Sequence, residues 1–264
     1  MAESFNICLD VGGTKVLGAI FNEKDQIIYR LKKRSKSGGS ASADVEKVIV
    51  DVVEEMISES GIDRKKLNAI ASCAPGVIDQ SRGVVLFTPN LPWRDYDMAG
   101  AMRKKFGVPF YVGNDVNLGV LGEYHFGSAR GYKNVVGFFV GTGMGGGMIL
   151  NGSLFTGNEF KAAEYGHMIL DPEGPLCNCG QRGCLEACHW LAVATGNMIN
   201  TISPDLILYG GGVIEAAGDV FLKKILDELD RYCMPQIRST VDVVTAGLGD
   251  DSILYGDLAM IKGL

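Results

Sequence analysis

The chain has 264 residues, with 25 Lys plus Arg against 31 Asp plus Glu, a net charge of −6 and 47% hydrophobic residues. That acidic balance argues against nucleic acid as the main partner, because a phosphate backbone demands a basic face, and the length suits one large domain or two ordinary ones. No apolar run reaches bilayer length, Met1-Ala2-Glu3-Ser4 opens no signal peptide, and seven cysteines, an odd number, suit reduced thiols in the cytoplasm better than a disulfide framework.

The first third reads as strands, a helix and a strand. Phe5 to Val11 is an apolar run ending at Gly12-Gly13, and Val16 to Phe21 follows at once, as in a hairpin. Gln26 to Leu31 is a third strand, and the basic cluster from Arg30 to Lys36 is a solvated strand end running into a Gly/Ser loop. Val45, Val48, Ile49, Val52, Val53, Met56 and Ile57 repeat at three and four, which is one face of an amphipathic helix, with Gly61 where it should stop. Leu67 to Cys73 is a buried strand before Ala74-Pro75-Gly76. Pro109 to Val112 is a short strand, followed by a helix over Val116 to Tyr124.

The middle repeats this grammar. Asn134 to Val140 is a strand, Gly141 to Gly147 a glycine turn, and Met148 to Leu150 the return strand. Leu191, Thr195, Met198, Ile199 and Ile202 suit a single helix that stops at Ser203-Pro204. Leu206 to Tyr209 is a strand halting at Gly210-Gly211-Gly212, followed by a helix over Ala217 to Met234, a strand over Val241 to Thr245 and a helix over Ile253 to Ile261. The two glycine-turn hairpins, roughly 130 residues apart, suggest a duplicated α/β architecture whose halves meet near 113–114.

Asp10-Val11-Gly12-Gly13-Thr14-Lys15 is a strand end, two glycines, a hydroxyl and a cation. Glycines let backbone N–H groups approach phosphate oxygens, and Asp10 can hold magnesium through water. A plain hairpin turn explains the pair equally well. The run Gly141 to Gly147 contains G-x-G-x-x-G, but a strand follows where a dinucleotide fingerprint needs a helix. The Rossmann reading is therefore rejected, and no Walker A motif occurs. In Gly113-Asn114-Asp115, Asp115 sits where a helix begins, so it is either the helix cap or a carboxylate that takes a hydroxyl proton.

The densest chemistry lies between Glu164 and Glu186. His167, Cys177, Cys179 and Cys184 make one imidazole and three thiolates, a full set for a closed, structural zinc site. Free cysteines are often small buried hydrophobes, but Gly180 and Gly183 among these three suit tight turns better than core.

Together these stretches resemble the ROK family of sugar kinases and repressors, in order from Asp10 to Gly256. The resemblance implies an actin/hexokinase-like (ribonuclease H-like) duplicated fold with a cleft between two α/β domains. These would be 1–113 and a larger 114–264 carrying the zinc loop, with the last helix free to pack back on the first. It implies ATP with Mg2+ at Asp10, Gly12, Gly13, Thr14 and Lys15, at Thr142, Gly143, Gly145, Gly146 and Gly147, and at Gly211. It places the catalytic base on Asp115 and sugar contacts on Asn90, Asn114, Asp115, Glu164, His167 and Glu186. The zinc ligands fall on His167, Cys177, Cys179 and Cys184.

Pro89-Asn90-Leu91-Pro92-Trp93 looks most like the glucokinase branch, which implies phosphorylation of the 6-hydroxyl of a hexose, glucose first. N-acetylmannosamine and N-acetylglucosamine kinases share most other positions. A homodimer or higher homo-oligomer is implied, with no nucleic acid and no membrane. Ala163 stands where the family usually has glycine. Only residues 187–203 separate Glu186 from Pro204, where family members carry several more helices, so a catalytically weak or inert sugar binder is an alternative. A repressor would need a DNA-binding domain ahead of Asp10, for which residues 1–9 leave no room.

Overall fold

The structure, a computed structural model, describes residues 4–12, 15–34, 42–88, 93–141 and 143–264. The elements begin with β1 (Phe5–Val11), β2 (Lys15–Phe21), β3 (Ile27–Arg34), α1 (Ser42–Ser60), β4 (Leu67–Ala74), β5 (Val77–Asp79), β6 (Val84–Phe87) and β7 (Arg94–Tyr96). Then come α2 (Met98–Phe106), β8 (Phe110–Asn114), α3 (Asp115–Phe126), β9 (Val135–Val140), β10 (Met144–Leu150), β11 (Ser153–Leu154), α4 (Leu185–Cys188) and α5 (Leu191–Ile202). The chain ends with β12 (Leu206–Gly210), α6 (Gly212–Leu229), α7 (Pro235–Arg238), β13 (Asp242–Thr245) and α8 (Ser252–Lys262).

Two compact units result, Met1–Gly122 with Ile253–Leu264, and Glu123–Ser252. The division falls inside α3, where the sequence had suggested 113–114, and nearly all of α8 belongs to the first unit. Each unit holds a five-stranded sheet, ordered β3-β2-β1-β4-β8 in one and β11-β10-β9-β12-β13 in the other. In both, an antiparallel hairpin lies on one side of the first strand and parallel strands on the other. This repeated topology is the duplicated α/β, actin/hexokinase-like fold.

In the first unit, the middles of parallel β1 and β4 are buried and β8 is largely so, as strands with both faces covered must be. The apolar stripe of α1 packs Val45, Ile49, Val52, Val53 and Met56 into a core with Ile7, Leu9, Ile20, Ile70 and Met102. A Cβ at Gly18 would lie 2.5 Å from Met56 Sδ, so the helix sits directly on the β2 backbone. In the second unit Phe138, Ile207 and Tyr209 of the sheet meet Ala194 and Ile199 of α5 and Ile225 and Leu229 of α6. The Tyr209 hydroxyl hydrogen-bonds Thr195, which gives its buried oxygen a partner.

Several elements differ from the sequence reading. The small sheet β5-β6-β7 and helix α2 were not anticipated. Strands of three or four residues show too little alternation to read. In α2, Asp97 accepts the Gly100 N–H at 2.8 Å and Gly107 closes the far end at φ 74°. Helix α6 starts at Gly212, bends at Ala217 and ends at Leu229, ahead of the expected Ala217–Met234. Pro235 opens the separate helix α7.

Candidate active site and metal centre

The carboxyl ends of β1, β4 and β8 lie side by side, the usual place for ligands in open α/β sheets. Leu9 is opposite Ser72, and Cys73 is opposite Gly113, which brings Asp10, Cys73 and Asn114-Asp115 to neighbouring strand ends. The Cys73 thiol donates to Asp10 Oδ1 at 3.3 Å, and its sulfur accepts the Val11 N–H at 3.3 Å. Burial, then the carboxylates of Asp10, Asp115 and Asp257, push this thiol well above its ordinary range. Asp257 of α8 is buried beneath the same strand end and accepts the Leu9 N–H at 3.0 Å. Burial holds its carboxyl well above the usual carboxylate range. Nothing in the sequence pattern singled out Cys73 or Asp257, because one reads as core and the other as a helix-surface carboxylate.

Asn114 Oδ1 accepts the Asn117 N–H at 3.0 Å and its amide donates to the Gly76 carbonyl at 3.0 Å. Asn114 thus does the helix capping that the sequence had allowed for Asp115. Asp115 Oδ1 accepts the N–H of its neighbour Val116 at 3.0 Å, at the start of α3. At the β1–β2 turn the Gly12 N–H closes on the Lys15 carbonyl at 3.0 Å, and Lys15 opens β2. Gly13, Thr14, Asn90 and Thr142 lie outside the described residues.

The second glycine turn is shorter than expected. Gly141 N–H closes on the Gly143 carbonyl at 2.9 Å, and β10 already starts at Met144. Gly145, Gly146 and Gly147 pair with Phe139, Phe138 and Gly137, so they are strand and not turn. Gly146 has a packing reason to lack a side chain, since a Cβ there would lie 2.2 Å from the Tyr165 ring. Gly211 likewise has φ 91°, and a Cβ would meet the Val140 carbonyl at 2.5 Å. Beside it, a 460 Å³ pocket is lined by Gly210, Ile214, Glu215, Gly218, Thr245 and Ala246.

The segment from Glu164 to Glu186 folds on itself through two short bridges, Ile169 to Cys184 and Leu176 to Arg182. Gly183 has φ 70°, and a Cβ there would fall 1.5 Å from the Asp171 carbonyl, so only glycine fits. The fold brings ligand atoms of His167, Cys177, Cys179 and Cys184 within 4.8 Å of one another. Cys177 Sγ is 3.8 Å from His167 Nδ1, and Cys179 Sγ is 3.6 Å from Cys184 Sγ. A tetrahedral ion with metal–sulfur bonds of about 2.3 Å sets its sulfurs about 3.8 Å apart, so these residues fit zinc and leave no open position. Burial raises the Cys184 thiol to about 12, whereas the Gln181 backbone N–H lowers Cys179.

Glu186, at the start of α4, accepts the Met144 N–H at 2.9 Å, with Cys177 Sγ 3.8 Å from its other oxygen. It therefore joins the cysteine loop to the second glycine turn. Glu164 is exposed at the head of the Tyr165–His167 turn. Its neighbour Ala163 is held at φ 69°, a left-handed conformation that favours glycine over alanine.

The duplicated α/β topology defines the class of actin/hexokinase-like folds, and this chain adds carboxylates at the strand ends of one sheet and a Cys3His cluster beside the glycine turn of the other. Within it, the chain belongs to the ROK family, whose pattern matches residues 6–189 and 187–263. The match comes in two pieces that meet beside Glu186, where the connection is short.

The glucokinase of Thermotoga maritima is 28% identical, over 97% of this chain and 96% of that protein. The xylose repressor of Bacillus spizizenii is 27% identical, over 96% of this chain and 75% of that protein. A ROK family glucokinase from Streptomyces griseus, solved in complex with glucose and AMPPNP, superposes with a TM-score of 0.85 at 24% identity, over 99% of this chain and 100% of that one. Among the described residues, no helix is long and apolar enough to cross a membrane.

Proposed function

We propose that the protein is an ATP-dependent sugar kinase that phosphorylates the 6-hydroxyl of a hexose, with glucose as the leading substrate. The observation that carries this reading is the strand-end arrangement of Asp10 and Asp115 in a ROK chain aligned nearly end to end with a glucokinase. Because Asn114 caps α3, the carboxylate of Asp115 is not needed for that task. It takes the proton of the 6-hydroxyl as that oxygen attacks the γ-phosphorus and the bond to the ADP oxygen breaks. Such transfer gains mainly from positioning and charge neutralisation. Asn90, Asn114, Glu164, His167 and Glu186 supply directional hydrogen bonds to the sugar hydroxyls, and a site built on such bonds rejects epimers strongly.

Asp10, Gly12, Gly13, Thr14 and Lys15, with Thr142, Gly143 and Gly145 to Gly147, attend the phosphates, and Gly211 lies beside the pocket suited to the nucleoside. Bound magnesium would neutralise phosphate charge and would be held through Asp10. Zinc, held by His167, Cys177, Cys179 and Cys184, would fix the loop that carries Glu186. The cytoplasm and a homo-oligomer suit this role.

A second reading, a sugar binder with little or no turnover, is favoured by one feature. The interrupted family match coincides with an open groove of 750 Å³ between α5 and α6, floored by Leu191 and Ile225 and rimmed by the half-exposed Trp190. A coupled assay for ADP release with glucose, N-acetylmannosamine, N-acetylglucosamine and fructose tests both. ADP release with one sugar establishes the kinase and its substrate. Saturable sugar binding without ADP release establishes the binder.

A further inference from the structure

We propose that Cys73 is the positioning residue for Asp10, holding that carboxylate in place for the cation of the bound nucleotide. This rests on the kinase reading above. The geometry is that one sulfur ties the side chain of Asp10 and the backbone of Val11, at 3.3 Å each, immediately before the Gly12 turn. Cys73 itself is 1% exposed on strand β4, so its thiol is shielded from water, while Asp10 and Val11 are half-buried at the strand end. An ordinary thiol ionises near about 8.5 and is therefore a donor at pH 7. Donation to a carboxylate is the stronger, charge-assisted kind of hydrogen bond.

A carboxylate that must meet a hydrated cation in one orientation loses affinity if it is free to rotate, because the rotamer must then be ordered on binding. Cys73 does this ordering in advance. A small buried hydrophobe at this place would pack the strand equally well but would not touch Asp10. The two roles are therefore separable by substitution.

The test uses the full chain and reads Mn2+ binding in the presence of AMPPNP by electron paramagnetic resonance, alongside the Mg2+ dependence of ADP release. Cys73→Ala, and Cys73→Val as a branched apolar variant without a donor that brackets the cysteine volume from above, should weaken cation binding by about five- to tenfold. The KM for sugar should stay unchanged. Cys73→Ser, which keeps a donor, should lie within about twofold of the parent. In an Asp10→Asn background Cys73→Ala should add nothing further.

Unchanged Mn2+ affinity in both donor-less variants, whatever their melting temperatures, overturns the proposal and assigns Cys73 to packing. An equal loss with and without Asp10 overturns it as well. If the parent chain itself binds no Mn2+ with AMPPNP, the kinase reading falls and this assignment falls with it. Binding in the parent with no change in the variants removes only the role of Cys73.

Discussion

Replacement of Glu123 by glutamine tests how the second unit is held together. Glu123 is fully buried, at 0% exposure, yet its two oxygens accept four hydrogen bonds. Oε1 takes the Leu248 N–H at 2.8 Å and the Ser252 hydroxyl at 2.9 Å, while Oε2 takes the N–H groups of Ser128 at 2.8 Å and Gly247 at 3.1 Å. Glutamine has one acceptor oxygen. Its best orientation turns the amide NH2 toward Ser252, whose hydroxyl can rotate and accept instead. The Leu248 N–H then loses its partner and faces another donor.

One unsatisfied buried donor and the lost charge-assisted bonds cost about 2–3 kcal/mol. For a chain of this size that lowers the melting temperature by about 4–12 °C. Glu123→Ala strands the three N–H donors of Ser128, Gly247 and Leu248, while the Ser252 hydroxyl keeps the Gly249 carbonyl at 2.8 Å, and it should cost more than the glutamine variant. Thermal denaturation of the intact chain by circular dichroism measures both. A glutamine variant melting within about 2 °C of the parent, or an alanine variant no worse than glutamine, would refute the reasoning.

Asp115→Asn should keep sugar binding within a few-fold while ADP release falls by roughly a hundredfold or more; near-normal turnover removes Asp115 from its role. Cys179→Ser should lose one tightly bound zinc per chain by elemental analysis, with stability and sugar affinity falling together, because metal binding free energy is also folding free energy. A metal-free chain with unchanged melting contradicts this. Ala163→Gly should raise stability by about 0.5–1 kcal/mol, since the φ of 69° strains alanine more than glycine loses in unfolded freedom; a lower melting temperature counts against it.

The raised carboxyl of Asp257 sets a sign with pH. Its contribution is fully present below the unfolded carboxylate range and is lost as pH rises toward its folded value. Asp257→Asn should therefore melt higher relative to the parent at pH 8 than at pH 5. A constant difference across that range would show that Asp257 is not held neutral.

Sequence alone determined the features that depend on neighbours along the chain. The apolar stripe of α1 from Val45 to Met56, the single helix over Leu191 to Ile202 and the Cys-x-Cys turn closing on Cys184 were legible because helix period, strand length and metal-ligand chemistry are local. The duplicated fold was legible from two glycine turns, although the second proved to be mostly strand. Its glycines answer to the Tyr165 ring, a contact that no window of sequence around residue 146 reveals.

Tertiary structure decided the rest. Only the register of β1 against β4 and of β4 against β8 sets Asp10, Cys73 and Asp115 at adjacent strand ends, and only the return of α8 buries Asp257 beneath them. Asn114 took the helix cap because β8 delivers its amide to the Gly76 carbonyl as well. The role of a polar residue depends on which donors and how much water surround it, and those are fixed by segments distant in the chain.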